Sequence, residues 1–261
     1  MEWKLGMLGY PVEHSLSPQL HEEGLRLMGY RGSSRRVEVR KEDADSVGKL
    51  IREEFDAVSA TMPLKPLLAQ FCSHVDAAAL HTSSINSVLK TDDGLHGAST
   101  DGDGLLDAIR GEFQFEVRGL HAVVIGAGGS ARAIVDALVD KGISQVEILS
   151  RTPATVDALA SAYDVATPYE GLETPVHLIV NTTPAVGREI GNELLPGVSK
   201  DTVAIDITYS PPVSDWLAMH QELACRTQNG LPMLAYQAAR QMNWWWNSDL
   251  SGADLLKVIA S

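Results

Sequence analysis

The first hundred residues alternate between short apolar stretches and amphipathic segments. Strand-like and helix-like periods follow one another, which is typical of an α/β region. The pattern predicts strands at Lys4–Gly9, Ser34–Val39 and Ala57–Thr61, and helices at Ser17–Met28 and Asp43–Glu54. It also predicts strands at Asn86–Lys90 and Leu95–Ser99, which flank the turn sequence Thr91–Gly94 and suggest a hairpin. Ser17 precedes a proline and is predicted to cap the first helix, although a ligand-binding role is equally open.

From His121 onward, near-continuous apolar stretches are separated by helical segments. Strands are predicted at Ala122–Ile125, Gln145–Leu149, Leu178–Asn181 and Thr202–Ile207. Strands that are apolar on both faces indicate a parallel sheet covered by helices on both sides. Two helices, Met233–Trp246 and Ala253–Ala260, are predicted near the end of the chain.

The predicted fold class is α/β, with two α/β domains flanking a cleft that would hold a small molecule. The second domain is predicted to be a Rossmann-like parallel sheet for a dinucleotide. The predicted boundaries are residues 1–101 plus 235–261 for the first domain, and residues 102–234 for the second.

The composition narrows the possible partners. The 261 residues carry 34 acidic side chains against 21 Lys and Arg, for a net charge of −13, which argues against nucleic acid and anionic membranes. There is no membrane-length apolar run, and Met1–Lys4 lack a signal-peptide layout, so we expect a cytoplasmic protein. Two cysteines and eight histidines show no metal-ligand spacing, and no metal is predicted.

The most informative segment is the glycine-rich run Gly126–Arg132. It follows the apolar strand Ala122–Ile125 and opens a helical pattern at Ala131–Val139. Glycines let the backbone approach a pyrophosphate, and a helix N-terminus offers free N–H groups and the positive end of its dipole. The context of a preceding strand and a following helix therefore predicts a dinucleotide site, although such loops also occur as plain tight turns.

The residues after the next strand indicate which dinucleotide binds. Ser150-Arg151-Thr152 follows Gln145–Leu149, where an NAD site would carry an acidic residue for the ribose hydroxyl. Arginine suits a 2′-phosphate instead, so NADP is predicted. The alternative, which weighs about equally on these residues alone, is a solvated Arg151 with Thr152 capping the next helix.

Three segments of the first region carry candidate site chemistry. Gly9–Pro18 brings two hydroxyls to a helix N-terminus, where a carboxylate can bind. Ser59–Lys65 ends a strand with a lysine, and Gly97–Gly104 carries Asp101. Each has an ordinary structural alternative: a helix cap, a solvent-facing lysine, or the start of a helix.

Together these segments resemble the shikimate dehydrogenase family over nearly the whole chain. The family patterns G-x-P-x-x-H-S-x-S-P, N-V-T-x-P-H-K, N-T-D-G-x-G and G-A-G-G-x-x-R are matched fully or in part. Their counterparts here are Gly9–Pro18, Ser59–Lys65, Ser99–Gly104 and Gly126–Arg132. Five further segments resemble other motifs of the family: Ser84–Ser87, Ser150–Thr152, Asn181–Pro184, Asp206–Pro211 and Gly230–Gln237.

The resemblance implies an NADP-dependent oxidoreductase that interconverts 3-dehydroshikimate and shikimate. It implies Lys65 and Asp101 as the catalytic pair. The implied contacts to a shikimate-like carboxylate substrate are Ser15, Ser17, Thr61, Asn86, Tyr209 and Gln237. The implied cofactor contacts are Gly126, Ala127, Gly128, Gly129, Ser130, Ser150, Arg151, Thr152, Thr183, Ile207 and Gly230. Both a monomer and a homodimer suit this architecture.

Three positions depart from the family pattern. Ser59 and Ser99 stand where the family has asparagine, and Leu64 stands where it has histidine. A serine in place of an asparagine removes amide donors near the substrate, which weakens or redirects recognition of a ring hydroxyl. The alternatives are therefore a related substrate, such as quinate or an aminoshikimate, or a non-catalytic sensor of such a metabolite.

Overall fold

The computed structural model describes residues 2–171, 174–183 and 195–259. The last residues of two predicted segments, Pro184 and Ala260, lie outside this part of the chain. The protein forms two compact units, Met1–Ala108 with Leu234–Ser261 (unit 1) and Ile109–Met233 (unit 2). Among the described residues, every helix is too short or too polar to cross a membrane.

Unit 1 is built on a mixed six-stranded sheet. Its strands are β1 (Trp3–Gly9), β2 (Gly32–Glu38), β3 (Ala57–Ala60), β4 (His74–Val75), β5 (Ser87–Thr91) and β6 (Gly94–Ala98). The order across the sheet is β2-β1-β3-β5-β6-β4. Strand β1 runs parallel to β2 and β3, whereas the hairpin strand β5 runs antiparallel to β3 and β6. The predicted hairpin at Thr91–Gly94 is therefore present.

The helices of unit 1 bury apolar faces against this sheet. They are α1 (Ser17–Leu27), α2 (Val47–Glu54), α3 (Ala77–Thr82), the first part of α4 (Asp101–Phe113), most of α8 (Gly230–Trp246) and α9 (Gly252–Ile259). One core cluster centres on Leu8, Ile51, Phe55 and Val58, all at most 2% exposed. The chain passes between the units inside α4 and again inside α8.

Several predicted helix starts differ from the structure, and α8 begins at Gly230 rather than at Met233. Helix α1 begins at Ser17 itself, with Leu16 in the N-cap position, because the Ser17 hydroxyl accepts a hydrogen bond from Ser15 instead of capping the helix. The predicted helix at Asp43–Glu54 is split into a 3₁₀ turn at Lys41–Ser46 followed by α2. The Ser46 hydroxyl donates to the Asp43 carbonyl within that turn, a local bond that competes with the helical ladder.

Unit 2 is an all-parallel sheet, as the apolar strands predict. Its strands are β7 (His121–Ile125), β8 (Gln145–Leu149), β9 (Ala166–Pro168), β10 (Leu178–Asn181), β11 (Val203–Asp206) and β12 (Arg226–Gln228). Its helices beyond α4 are α5 (Gly129–Asp140), α6 (Pro153–Ala160) and α7 (Asp215–Glu222). The order β9-β8-β7-β10-β11-β12 is the strand order 3-2-1-4-5-6 of a Rossmann sheet.

Candidate active site

The candidate segments of unit 1 meet at one end of its strands, which we call the carboxyl edge of the sheet. Strands β1, β3 and β6 run in the same direction, so their carboxyl ends, and the loops that follow them, share that edge. Asn86 immediately precedes the antiparallel strand β5 and lies at the same edge. Backbone bonds tie the loops together: the N–H of Tyr10 donates to the carbonyl of Met62 at 2.8 Å. In open α/β sheets this edge is where ligands bind.

Lys65 and Asp101 form an ion pair at this edge. The Lys65 Nζ donates to Oδ2 of Asp101, and the two side chains are 12% and 7% exposed. Asp101 is the first residue of α4, where the helix dipole favours a negative charge. A largely buried ammonium can donate a proton to a bound ligand and take one back as the amine, and the carboxylate beside it stabilises and positions the charged form.

Asn86 connects this pair to the rest of the site. Its amide nitrogen donates to Oδ1 of Asp101 at 2.7 Å and to Oε1 of Gln237 at 3.1 Å. Its amide oxygen accepts from the backbone N–H of Thr100 at 2.8 Å. Because three elements meet in one buried amide, Asn86 fixes the orientation of the Asp101 carboxylate.

Gln237 reaches the site from α8, and a glycine makes the approach possible. A Cβ on Gly104 of α4 would lie 2.5 Å from the Cβ of Gln237, so a side chain there would force the helices apart. Gln241, one turn further along α8, donates to Oε1 of Gln237 at 2.8 Å and to the Asn86 carbonyl at 3.1 Å. Gln241 is buried and does not belong to the predicted site residues.

The hydrogen-bond network continues to a buried histidine that the sequence interpretation also missed. The Ser59 hydroxyl donates to Oε1 of Gln241 at 2.6 Å, and Nε2 of His21 lies 2.8 Å from the same hydroxyl. Because Ser59 has already donated its proton, His21 must donate from Nε2 and accept at Nδ1 from Ser34, 2.8 Å away. Burial lowers the pKa of His21 from 6.5 to about 3, so the ring is neutral.

The loop between β1 and α1, which carries Ser15 and leads into Ser17 (the serine loop), is held by its own hydrogen bonds and by an arginine. The Ser15 hydroxyl donates to the Ser17 hydroxyl at 3.2 Å and accepts from the Ser17 N–H at 3.3 Å. The guanidinium of Arg36 donates twice to the Ser15 carbonyl, at 2.6 and 2.8 Å. Thr61 is half-buried on the neighbouring loop, and its N–H donates to the Leu8 carbonyl. His14 in the same loop is exposed.

Two of the three departures from the family pattern have a clear structural setting. Leu64 is fully buried and packs in the core of unit 1, so it serves packing. Ser59 is 3% exposed and lies between His21 and Gln241. The N–H of Ser99 donates to the side chain of Asp76 at 3.3 Å, while its hydroxyl has no explanation from the surrounding structure.

The glycine loop of unit 2 has the shape of a phosphate cradle. Gly126 has φ +113°, and a Cβ there would lie 2.1 Å from Oγ1 of Thr182. Gly128 is the N-cap of α5, and a Cβ on it would meet open space. Because this N-cap residue has no side chain to cap the 12-residue helix, the first N–H groups and the dipole of α5 suit an anion. Ala127, Gly129 and Ser130 are located around this turn.

The remaining predicted cofactor residues lie at the carboxyl ends of neighbouring strands of unit 2. Arg151 and Thr152 are exposed after β8, and Ser150 is half-buried beside them. Thr152 occupies the N-cap position of α6 without a side-chain cap bond, so the capping part of the structural alternative is wrong, whereas the exposure of Arg151 fits both interpretations. Thr183 follows β10, and its hydroxyl donates to Oδ1 of Asn181 at 2.7 Å.

Two further predicted residues are in direct backbone contact. A Cβ on Gly230 would lie 1.9 Å from the Ile207 carbonyl oxygen, so only glycine fits beside the end of β11. The half-buried Tyr209 lies two residues after Ile207, in unit 2. The other predicted substrate contacts belong to unit 1.

Comparison with known proteins gives two family matches along the chain. Residues 7–88 match the family described as "Shikimate dehydrogenase substrate binding domain". Residues 109–225 match the family described as "Shikimate / quinate 5-dehydrogenase". Both matches fall within single units of the structure.

Curated relatives and a solved structure agree with these matches. A shikimate dehydrogenase (NADP(+)) from an Exiguobacterium species is 32% identical over 245 residues, covering 92% of each chain. An enzyme of the same name from Thermus thermophilus is 34% identical over 249 residues, covering 93% of this chain and 92% of the relative. A crystal structure of shikimate 5-dehydrogenase from another strain of Thermus thermophilus, in complex with NADP(H) and shikimate, superposes with a TM-score of 0.88 at 30% identity. It covers 99% of this chain and 98% of that one.

Proposed function

Because the chain belongs to the shikimate dehydrogenase family, we propose that it is an NADP-dependent oxidoreductase that interconverts 3-dehydroshikimate and shikimate. The observation that carries this proposal is the buried Lys65–Asp101 pair, held by Asn86 at the edge of the sheet where ligands bind. A protein that only binds a metabolite does not need both a lysine and an aspartate at this place. The pair therefore favours an enzyme over a sensor.

Lys65 is the proton donor in this proposal. Bound NADPH supplies the hydride that reduces the ketone carbon, and the oxygen of the ketone must then be protonated. The Lys65 ammonium donates that proton and stabilises the negative charge as it develops. In the oxidative direction the neutral amine takes the proton from the hydroxyl. Asp101 stabilises the ammonium form of Lys65, which is the reactant in the reductive direction and the product in the oxidative one, and it fixes the position of Nζ.

The residues of unit 2 fit an NADP cofactor. A pyrophosphate suits the N-terminus of α5 and the turn at Gly126–Ser130, where three glycines leave the backbone accessible. Arg151, with Ser150 and Thr152, provides the positive charge and hydroxyls that a 2′-phosphate requires. We assign Thr183, Ile207 and Gly230 to the part of the site that holds the nicotinamide half.

Substrate recognition divides between hydroxyls and amides. Ser15 and Ser17 lie next to the N-terminus of α1 and suit a carboxylate, with Tyr209 as a third hydroxyl. Thr61, Asn86 and Gln237 offer the donors and acceptors that ring hydroxyls need. Three polar groups set for hydroxyls would reject an analogue that lacks them, because buried polar groups would be left unpaired.

The serine at position 59 does not leave the site short of amides. Gln241 reaches Ser59 from α8, and its amide also contacts Gln237 and the Asn86 carbonyl. The network that orients Gln237 and Asn86 is therefore complete within unit 1. The curated relatives are named shikimate dehydrogenase (NADP(+)), which supports shikimate itself over quinate or an aminoshikimate as the preferred substrate.

We place the reaction in the cytoplasm and assign the protein a monomeric or homodimeric state. Both cysteines, Cys72 and Cys225, are free thiols, which suits a reducing compartment. The net charge of −13 disfavours nucleic acid as a partner. Light scattering on the purified protein measures the oligomeric state directly.

The test of the proposed function is NADPH oxidation with 3-dehydroshikimate. We expect oxidation that prefers NADPH to NADH and that Lys65→Ala abolishes while NADPH binding is retained. Quinate and an aminoshikimate, assayed in the oxidative direction with NADP, should react at least about ten times more slowly than shikimate, because one mispaired polar group costs about 1–3 kcal/mol. Binding of 3-dehydroshikimate without any oxidation of NADPH would overturn the proposal that the protein is an enzyme and would favour a sensor of this metabolite.

A further inference from the structure

Two histidines and an aspartate meet on the surface of unit 1, away from the candidate active site. His74 on β4 is paired directly with His96 on β6, and Asp93 lies in the turn that precedes β6. Asp101 follows the other end of β6, so the strand separates this cluster from the proposed catalytic pair. None of the three residues takes part in the proposed reaction.

The geometry of the cluster suits a small cation. Nε2 of His96 is 2.9 Å from one carboxylate oxygen of Asp93, and Nδ1 of His74 is 3.6 Å from the other. The two imidazole centroids are 4.5 Å apart, and one ligand atom from each residue lies within 4.8 Å of the others. A tetrahedral zinc ion with bonds of about 2.0–2.1 Å separates its ligand atoms by roughly 3.3 Å. The three atoms, all within 4.8 Å of one another, therefore need to approach by at most about 1.5 Å to reach that spacing.

The backbone holds these side chains in place before any ion arrives. Directly paired residues on adjacent strands project to the same face of a sheet, which keeps His74 and His96 together. The Thr91 hydroxyl donates to Oδ1 of Asp93 at 2.6 Å and orients the carboxylate. Such outer contacts typically strengthen a metal site by fixing its ligands.

We propose that His74, Asp93 and His96 form a binding site for Zn²⁺. Two imidazoles and one carboxylate are a donor set that suits zinc, and a metal with three protein ligands keeps a position open for water. The negative charge of the protein as a whole attracts divalent cations to its surface. To bind zinc, Nε2 of His96 must lose the proton that it shares with Asp93. In the other neutral tautomer of the ring this proton is on Nδ1, and Nε2 can bind the ion.

A bound ion would join the outermost strand of the sheet, β4, to the hairpin. Strand β4 is only two residues long and, within the described part of the chain, pairs with β6 alone. A short edge strand is a region where local opening begins. Zinc bridging β4 and β6 would therefore stabilise the folded chain without contact with the substrate site.

Equilibrium dialysis of the full-length protein against Zn²⁺, in a chelator-free buffer at neutral pH, tests this proposal. We expect one zinc per chain with a dissociation constant in the micromolar range. His74→Ala and His96→Ala should each weaken binding by at least about 10–100-fold, because that loss is already typical when only an outer contact of a metal ligand is removed. Asp92→Asn is a control for the general attraction of cations to this turn, because it removes a negative charge next to Asp93 without removing one of the three ligands. It should bind zinc as the unmodified protein does.

Two results would overturn the proposal. One is the absence of bound zinc at about 100 µM free metal, far above the expected dissociation constant. The other is zinc binding that survives both histidine substitutions, which would place the metal elsewhere. Paramagnetic resonance with Cu²⁺ in place of zinc gives a second readout: two coupled imidazole nitrogens are expected in the unmodified protein and one in His74→Ala. Because His74 is exposed and His96 is only half-buried, these variants are expected to fold normally.

Discussion

The Ser59 hydroxyl donates a hydrogen bond of 2.6 Å to Oε1 of Gln241, across 182 residues of sequence. The bond joins the end of β3 to α8 and completes a buried path of hydrogen bonds from His21 to the Lys65–Asp101 pair. Ser59 stands where the family pattern has an asparagine, and Gln241 brings an amide to this position, next to Asn86 and Gln237. The two positions therefore need to be considered together.

The first prediction concerns Gln241→Leu, which keeps the size of the side chain and removes its amide. Ser59 loses its acceptor, and Oε1 of Gln237 loses one donor, both in a buried site. We expect the free energy of unfolding to fall by about 1–3 kcal/mol, the typical cost of buried polar groups left unpaired. We also expect KM for shikimate to rise more than kcat falls, because Gln237 is oriented less well while Lys65 is untouched.

Urea unfolding and steady-state kinetics measure these two effects. Gln19→Leu, an exposed substitution of the same kind on α1, is the matched control and should change neither. Combining Gln241→Leu with Ser59→Ala should cost less than the sum of the two single changes, by about 1 kcal/mol, because the residues are in contact. Strict additivity would show that the bond between them contributes nothing.

The sequence predicts the residues that touch ligands better than the residues behind them. The ordered short motifs resemble one family, which points to Lys65, Asp101 and the serine loop. His21 and Gln241 belong to no such motif. Their only sequence signal is a polar residue within an apolar helix face, as for Gln241 among Ala238, Met242 and Trp245. Such a pattern does not identify the residue of another element with which the polar group forms a hydrogen bond.

The long apolar strands are also predicted well, and the short elements are not. The parallel strands β7, β8, β10 and β11 appear within one residue of the predicted bounds. Strands β4, β9 and β12 have two or three residues, too few to show a period. The proximity of His74 and His96 could not be predicted from the sequence for the same reason, because it arises from the pairing of β4 with β6.

The second prediction concerns Asp101→Asn, which keeps the shape of the side chain and the oxygen that Asn86 contacts. Without the carboxylate, Lys65 loses the charge that balances and positions its ammonium. We expect kcat to fall by about 10²–10⁴-fold, the contribution typical of general acid–base catalysis, with NADPH affinity unchanged. Asp107→Asn, on the same helix and outside the pair, should retain its kcat. Equal losses in the two variants would indicate a general effect on α4.

The third prediction concerns the choice of cofactor. Arg151→Ala should raise KM for NADPH by about 10–100-fold, which corresponds to the loss of one or two charge-assisted hydrogen bonds to the 2′-phosphate. KM for NADH should not change, because NADH lacks that phosphate. Arg118→Ala, an exposed arginine of the same unit, is the control. If Arg151→Ala weakens NADPH and NADH equally, Arg151 does not read the phosphate.

The last prediction concerns His21 and acid. Burial lowers its pKa in the folded protein to about 3, whereas in the unfolded chain it has its ordinary value of 6.5. Between these two values the unfolded chain binds a proton that the folded protein does not, so stability is fully present above pH 6.5 and falls as the pH is lowered. At pH 5 the loss amounts to about 2 kcal/mol, because each pH unit between the two pKa values costs about 1.4 kcal/mol.

His21→Gln isolates this effect, because glutamine takes up no proton in either state. The variant is expected to be less stable at neutral pH, through imperfect bonds to Ser34 and Ser59. Its free energy of unfolding should nevertheless fall about 2 kcal/mol less than that of the unmodified protein between pH 7 and pH 5. The exposed His14→Gln should keep the unmodified pH dependence. Parallel curves for all three proteins would mean that His21 is protonated in the fold as readily as in the unfolded chain, and the hydrogen-bond directions assigned from Ser34 to Gln241 would then be wrong.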